Sequence, residues 1–180
     1  MNEFHPSQVF KFCPFCGKAG FVWNGINCFV CKICNQKFYI NMAAAVVAVI
    51  FNNNNELLLT RRKNNPAKGF LDLPGGFVNI GETAENAVVR EIKEELNINV
   101  SEFEFIATFP NEYVFGGIQY FTEDIVFACK VTDFSGISAN DDINAYEFQT
   151  LSKINIDDIG LNSIKNVIEF LKNIRKNEKR

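Results

Sequence analysis

Three glutamates lie close together in the middle of the chain, and their spacing could bind a metal ion. Glu91, Glu94 and Glu95 fall in AENAVVREIKEEL, a segment whose apolar residues recur at helical intervals. On a helical wheel that starts at Ala84, the three side chains project at roughly 340°, 280° and 20°, on the same side as the apolar residues. Carboxylates there are costly to desolvate unless a positive charge compensates them, and a bound cation is the usual compensation. The spacing therefore predicts a metal site, with a solvated acidic face as the alternative.

The segment before this helix predicts a backbone turn at the same site. Pro74, Gly75 and Gly76 form a turn in which the backbone can approach a ligand closely, because glycine has no side chain. Thr83 is expected to cap the start of the helix with its hydroxyl, and Asn97 to end it in the left-handed conformation. The unit is therefore a turn, a loop and a helix that carries the carboxylates.

The same stretch resembles a known signature. From Gly76 onward the residues fit G-x5-E-x7-R-E-U-x-E-E-x-G-U, the pattern of the Nudix hydrolases, in which U is a large aliphatic residue. The matching residues are Gly76, Glu82, Arg90, Glu91, Ile92, Glu94, Glu95 and Ile98. Asn97 stands where the family has glycine, and asparagine is the residue that best replaces glycine in that conformation. The resemblance implies an α/β fold, the Nudix α/β/α sandwich with a mixed sheet.

The resemblance also implies the chemistry. Nudix hydrolases typically cleave the diphosphate of a nucleoside diphosphate linked to another moiety, with Mg²⁺ or Mn²⁺ bound to carboxylate oxygens, which suit such ions. The metal ligands and catalytic carboxylates implied here are Glu91, Glu94, Glu95 and the backbone carbonyl of Gly75. Arg90 reaches Glu94 at i+4 and is given an orienting role, with a surface salt bridge as the alternative. Glu82 either binds a further metal ion or caps the helix, and the sequence leaves both open.

The general base is assigned to a later loop. In the family this base is sometimes a signature glutamate and sometimes an acid downstream, and here the downstream loop reads ANDDINAYEF. Asp142 is the preferred residue, because the strand after it carries Phe148 where relatives often have tryptophan. The other candidates are Asp141, Glu147, Glu123 and Asp124. Asp141 and Asp142 could also be plain turn formers, since aspartate favours turns.

Two cysteine pairs near the start of the chain predict a zinc site. Cys13 and Cys16 form one C-x2-C pair, and Cys31 and Cys34 form another after fourteen intervening residues. This spacing is typical of a zinc ribbon with four cysteine ligands in a tetrahedron, and the metal would supply the folding energy that so short a segment lacks. Disulfides and buried free thiols are the alternatives. Cys28 also pairs with Cys31 at the same spacing, and the preference for Cys34 rests on the resemblance to zinc-ribbon Nudix enzymes.

The substrate is left open by the sequence. A zinc ribbon before a Nudix domain is similar to the arrangement in NADH pyrophosphatases, but their S-Q-P-W-P-F-P-x-S array has no match in FPNEYVFGGIQYFTED. An NADH pyrophosphatase therefore remains an alternative, as does a nucleotide-sensing regulator without turnover. All the signature glutamates are present, which favours an enzyme. Five aromatic residues are interpreted mostly as core, with base stacking as the alternative. They are Phe109, Tyr113, Phe115, Tyr120 and Phe121.

The composition argues against membranes and nucleic acid as partners. The chain of 180 residues has a formal net charge of -3, whereas nucleic-acid binding needs a basic patch. The lysines of the ribbon are too sparse to provide one. The longest apolar run, MAAAVVAVIF, is too short to span a bilayer, and the first residues have no signal-peptide pattern. We therefore expect a cytoplasmic protein with a small nucleotide-type substrate, as a monomer or a homodimer.

Two domains are expected, a zinc ribbon over residues 1–40 and a Nudix domain over residues 41–180. The predicted strands of the second are AAAVVAVI, LLLTRR, FEFIATFP, Tyr120–Val131 and YEFQTL. NNNNE is predicted as a hairpin loop between the first two. A second helix contains Ile164 and Ile174 and precedes a charged tail, KNEKR. His5, the one histidine, is interpreted as a mobile terminal residue.

Overall fold

The computed structural model describes residues 2–177, so the end of the charged tail lies outside the described residues. The chain forms two compact units. The first contains the residues up to Met42 together with Glu112–Phe121, and the second contains Ala43–Asn111 together with the residues from Thr122 onward. The predicted metal-binding glutamates lie in the second unit and the two cysteine pairs in the first.

The first unit is built on a small antiparallel sheet. Its elements are the short helix α1 (Pro6–Val9) and the strands β1 (Phe21–Trp23), β2 (Cys28–Cys31) and β3 (Lys37–Tyr39). The strand order is β1-β2-β3, and both pairs are antiparallel. Asn24 closes the turn between β1 and β2, because its side-chain oxygen accepts the backbone N–H groups of Ile26, Asn27 and Cys28. The stacked rings of Phe21 and Phe29 fill the small core.

His5 is packed in the first unit. Its Nδ1 accepts the N–H of Ser7 at 3.1 Å and so caps α1. Its ring lies 5.2 Å from that of Trp23 and 5.9 Å from that of Phe121, both edge-on. The expectation of a mobile terminal residue is therefore wrong. Trp23 and Phe121 are distant in the chain, and only the folded unit brings them to the histidine.

The second unit contains two sheets and two long helices. Its elements are β4 (Ala43–Ile50), β5 (Glu56–Arg62), β6 (Leu71–Asp72), β7 (Gly75–Phe77), α2 (Ala84–Leu96), β8 (Glu102–Phe115), β9 (Ile118–Lys130), β10 (Ile143–Thr150) and α3 (Asn162–Asn177), with the tip of β8 and β9 belonging to the first unit. One sheet has the order β7-β4-β9-β8, in which β4 is parallel to β9 and antiparallel to β7. The other sheet is antiparallel, with the order β10-β5-β6. Across residues 2–177, no helix is both long and apolar enough to cross a membrane.

The side chains of β4 alternate between two cores, and this alternation builds the predicted sandwich. Val47 and Val49 lie in a buried cluster with residues of α3, whereas Val46, Ala48 and Ile50 lie in a second cluster with residues of α2. Successive side chains of a strand point to opposite faces, so each helix covers one face of the sheet. The mixed sheet and the α/β/α architecture are confirmed.

The NNNNE loop is a local hairpin that joins two different sheets. Asn52 accepts the N–H of Glu56 with its side-chain oxygen, and Asn55 has the left-handed φ of 63° that such a tight turn needs. A single antiparallel bridge, Phe51 to Leu57, follows it. The two strands then separate, because both edges of β4 are already taken by β7 and β9. The hairpin prediction is correct for the loop and wrong for the strands.

The five aromatic residues interpreted as core are not buried. Phe115 and Tyr120 are 54% and 42% exposed, and the others are half-buried. The rings of Tyr113 and Tyr120 stack 5.9 Å apart across the β8–β9 hairpin. The pairing of β4 with β9 begins at Thr122, so the residues nearer the turn have no third strand beside them. The core interpretation is therefore wrong for the end of the segment near the turn, whereas Phe109 packs against the cluster beside α3.

Candidate active site

Both ends of α2 are capped as the sequence predicts. The Thr83 hydroxyl accepts the N–H of Asn86 at 3.2 Å. Asn97 adopts the left-handed conformation, with a φ of 54°, and its N–H donates to the carbonyl of Lys93. These local hydrogen bonds satisfy orphan backbone groups and set the limits of the helix. The helix therefore presents its three glutamates at fixed positions.

The three glutamates differ in burial. Glu95 is only 6% exposed. The side chain of Glu91 is 13% exposed and that of Glu94 is 48% exposed. Glu94 is the glutamate whose wheel angle lies farthest from the apolar centre of the helix. Glu95 is thus buried, Glu91 is half-buried, and Glu94 lies at the rim of the site.

The glycine turn touches the carboxylates of Glu91 and Glu95. The N–H of Gly75 donates to Glu95 Oε2 at 3.1 Å. A Cβ on Gly76 would lie 2.6 Å from each carboxylate oxygen of Glu91, and a Cβ on Gly75, whose φ is 153°, would overlap the carbonyl oxygen of Val46. Contacts this short leave no room for a side chain. Glycine at both positions lets β7 pair with β4 and pack closely against α2.

Arg90 binds three carboxylates at once. Its Nε and Nη2 donate to the two oxygens of Glu82, each at 2.8 Å, and its Nη1 donates to Glu91 at 2.7 Å and to Glu94 at 2.9 Å. Its Nη2 also donates to the carbonyl of Phe77 at 2.9 Å. The planar guanidinium suits such a fork of acceptors. Arg90 therefore links the loop, the turn and the helix, which is more than a surface salt bridge between helical neighbours.

Glu82 acts in this structure as the partner of Arg90. Its carboxylate also accepts the N–H of Asn79 at 2.9 Å, while the helix cap is supplied by Thr83. The hydrogen bonds from Arg90 and Asn79 lower the pKa of Glu82 to about 2. A carboxyl with so low a pKa stays ionised at neutral pH, so it holds the arginine firmly.

Ionising Glu91 and Glu95 would put more negative charge into the site than its neighbours compensate. Burial raises the pKa of Glu95 to about 8, the charges of Asp72, Glu91 and Asp142 raise it further, and the N–H of Gly75 opposes them. Burial also raises the pKa of Glu91, against the effect of Arg90. Within residues 2–177, Glu95 has no salt bridge. Oxygen ligands in a desolvated site with excess negative charge are the environment that a divalent cation fits.

Asp72 is a buried acid of the site that the sequence reading missed. It is 6% exposed, it accepts the N–H of Leu73 at 2.8 Å, and it forms a 2.6 Å salt bridge with Arg62. Burial raises its pKa even so, with Arg62 opposing the shift. The available signal was an aspartate inside an apolar strand, immediately before the leucine, proline and glycines of the turn.

Asp142 lies in a loop that reaches the end of α2. The N–H groups of Asn140 and Ser138 donate to the carbonyls of Glu95 and Leu96, at 2.8 and 3.1 Å. Asp142 itself is exposed, and its charge contributes to the raised pKa of Glu95. The structure thus brings the predicted loop to the glutamates.

Of the other candidate acids, Asp141 lies in the same loop as Asp142, and its charge adds to the effect of burial in raising the pKa of Glu91. Glu147 pairs with Arg61 at 3.7 Å. Asp124 is 4% exposed and accepts the hydroxyl of Thr122 at 2.9 Å, and it alternates along β9 with Glu123. Val126 packs in the cluster with α3, and Phe127 in the cluster with α2. By strand alternation, Asp124 faces the α3 side and Glu123 the α2 side.

Four cysteine sulfurs of the first unit form a cluster. The Sγ atoms of Cys13, Cys16, Cys31 and Cys34 all lie within 4.8 Å of one another, and two of the pairs are 3.7 Å apart. Four sulfurs at about 2.3 Å from a tetrahedral zinc lie about 3.8 Å apart. The N–H groups of Cys34 and Ile33 lower the pKa of the Cys31 thiol to about 6. The set therefore fits zinc.

Cys28 takes no part in this cluster. It is 3% exposed, and its thiol donates to the backbone carbonyl of Phe29 at 3.3 Å. Cys129 is buried in the core beside α2. Both behave as small core residues.

Comparison with known proteins agrees with this geometry. A family model described as NUDIX domain matches residues 41–169. An ADP-ribose pyrophosphatase of Methanocaldococcus jannaschii is 69% identical over 35 residues, which are 19% of this chain and 21% of the relative. The NAD-capped RNA hydrolase NudC of Klebsiella pneumoniae is 32% identical over 110 residues, 61% of this chain and 41% of the relative. The chain therefore spans less than half the length of these relatives.

Two solved structures share the fold. A NUDIX hydrolase of Nitrosomonas europaea has a TM-score of 0.63 at 23% identity and covers 87% of each chain. The NUDIX domain of Shewanella oneidensis NrtR, solved with ADP ribose, has a TM-score of 0.60 at 19% identity and covers 75% of this chain and 89% of that one. With the family model matched over most of the second unit and the signature residues gathered around one turn and one helix, the chain belongs to the NUDIX domain family.

Proposed function

We propose that this protein is a Mg²⁺-dependent pyrophosphohydrolase that cleaves the diphosphate of a nucleoside diphosphate linked to another moiety. The observation that carries the proposal is the pair of carboxylates, half-buried Glu91 and buried Glu95, packed against the glycine turn, with Arg90 beside Glu91 as the one cation that pairs with either within residues 2–177. Mn²⁺ is the alternative ion, because it accepts the same oxygen ligands.

The ligands proposed for the ion are Glu91, Glu94, Glu95 and the backbone carbonyl of Gly75. When bound, a divalent cation neutralises the substrate phosphates and lowers the pKa of a bound water. Arg90 keeps the carboxylates oriented by holding Glu82, Glu91 and Glu94 together. Glu82 contributes indirectly, because its carboxylate holds the Arg90 guanidinium in place. Such fixed charges stabilise a transition state without reorganisation at the moment of reaction.

Asp142 is proposed as the general base. Its loop ends beside the glutamates and leaves its carboxylate exposed to solvent, where it can take a proton from the attacking water. It lies outside the proposed ligand set. An Asp142→Asn variant should therefore lose turnover while it keeps its affinity for Mg²⁺.

The first unit is proposed to hold one structural zinc on Cys13, Cys16, Cys31 and Cys34. Zinc there would stabilise a unit whose own core is small. We further propose that residues 1–40 form the ribbon domain and residues 41–180 the catalytic domain. All six cysteines are free, which supports a reducing, cytoplasmic location.

ADP-ribose is the first substrate to test, because the Methanocaldococcus relative is described as an ADP-ribose pyrophosphatase. Water would attack one phosphorus and release AMP and ribose 5-phosphate. NADH is the second, because the NudC relatives are described as acting on NAD-capped RNA. The assay measures product release from ADP-ribose, NADH, UDP-glucose and dGTP, with and without Mg²⁺. Folded protein that binds ADP-ribose but turns over none of the four would contradict the proposal and favour a regulator.

A further inference from the structure

The loop that carries Asp142 is held at both ends. At one end, Ser138 and Asn140 donate their N–H groups to the last carbonyls of α2. At the other end, Ile143 begins β10 and pairs with Arg62, the last residue of β5. Asp141, between them, has a left-handed φ of 51°, which is uncommon for residues other than glycine and which aspartate tolerates in turns.

The two residues after β5 hydrogen-bond to this loop. The N–H of Lys63 donates to the carbonyl of Asp142 at 2.9 Å, and its Nζ donates to the carbonyl of Asp141 at 3.0 Å. Asn64 makes a third contact, in which its Nδ2 donates to Asp142 Oδ1 at 2.8 Å. Lys63 therefore fixes the backbone of the loop. Asn64 is the residue that holds the carboxylate itself.

An exposed aspartate without such a partner samples several side-chain rotamers. In the conformation that Asn64 holds, the Asp142 carboxylate lies close enough to α2 for its charge to act on Glu95. Proton transfer requires hydrogen-bond distance to the attacking water. The contact from Asn64 removes this freedom before the substrate binds. Preorganisation of this kind raises turnover without altering how the metal is held.

We propose that Asn64 is a positioning residue for hydrolysis, which orients the Asp142 carboxylate toward the metal-binding face of α2. This inference rests on the proposed function and on Asp142 as its general base. Within the described residues, the Asn64 side chain makes no hydrogen bond to the expected ligands or to α2, and it is exposed. Its replacement should therefore leave folding intact.

The test compares Asn64→Ala with Asn53→Ala, which changes another exposed asparagine in the loop before β5. With ADP-ribose and saturating Mg²⁺, Asn64→Ala should lower kcat about tenfold, a part of the 10²–10⁴-fold that a general base contributes. KM, the Mg²⁺ concentration for half activity and Tm should match the wild type. Asn64→Gln keeps a donor and should recover part of kcat. Asn53→Ala should change none of these.

A double-mutant cycle separates positioning from other roles. In an Asp142→Ala background, Asn64→Ala should have no further effect on kcat, because the carboxylate that it orients is gone. An equal loss in both backgrounds, or full activity of Asn64→Ala, would overturn the positioning role while the hydrolase proposal stands. If wild-type protein turns over no diphosphate substrate, the proposed function fails, and this inference fails with it.

Discussion

Replacement of Glu95 by glutamine should raise the stability of the metal-free protein and remove its activity. The change keeps the size of the side chain and removes the charge that burial penalises. Glu95 is 6% exposed, and burial raises its pKa to about 8 from an ordinary value of 4.5. Because the folded-state pKa is the higher one, folding stability is fully present below about pH 4.5 and is lost as the pH rises toward 8.

The size of the effect follows from this shift. At pH 7 the unfolded carboxyl is ionised and the folded one is largely protonated. The penalty on folding therefore grows over the 2.5 pH units between the ordinary pKa of 4.5 and pH 7. At about 1.36 kcal/mol per unit, this is about 3 kcal/mol at pH 7, and close to zero at pH 4. Relief of repulsion between exposed helical neighbours would give only about 0.2–0.5 kcal/mol. Burial therefore dominates the effect.

The assay is urea unfolding in Mg²⁺-free buffer between pH 4 and pH 9. Wild-type stability should fall across this window, and that of Glu95→Gln should fall less. Glu169→Gln, on the exposed face of α3, is the matched control and should follow the wild type. Mg²⁺ should stabilise the wild type by mass action and Glu95→Gln much less. Hydrolysis by Glu95→Gln should drop by about 10²-fold or more.

Two results would refute this reasoning. A Glu95→Gln protein with the wild-type pH dependence would mean that the folded-state carboxyl is not penalised by burial. A Glu95→Gln protein with wild-type turnover would mean that the carboxylate does not serve the ion. The first result would remove the burial argument, and the second would remove Glu95 from the proposed metal ligands.

Three further predictions concern the turn, the arginine and the ribbon. Gly76→Ala should lower activity about tenfold or more with little change in Tm, because its Cβ would displace the Glu91 carboxylate 2.6 Å away; unchanged kcat would contradict this close contact. Arg90→Lys should lower kcat about tenfold, since one ammonium cannot hold three carboxylates; wild-type kcat would reduce the network to a surface ion pair. Metal analysis should find one zinc per chain, absent in Cys13→Ser and retained in Cys28→Ser. A stable, zinc-free wild type would disprove the ribbon site.

The parts of the site that the sequence predicted depend on local rules. Thr83 and Asn97 cap α2 through neighbours within four residues, and the 3.6-residue period places Glu91 and Glu95 on the buried face. The C-x2-C spacing brings each cysteine pair together within one turn of chain. Interactions between near neighbours depend little on the rest of the fold, so a sequence pattern is enough to predict them.

What only the tertiary structure decided is the pairing of distant segments. Asp72 belongs to the site because β6 carries it beside Glu95, and Asn64 meets Asp142 across 78 positions of chain. Strand order also determines which edges and faces of a sheet are covered. It places β4 and β5 in different sheets, and it leaves Tyr120 exposed. Strand pairing is non-local, and many partners satisfy the same alternation of apolar residues. The metal-binding chemistry of α2 could therefore be inferred from its own residues. Asp72 and Asn64 could be assigned to the site only from the pairing of the strands in the folded protein.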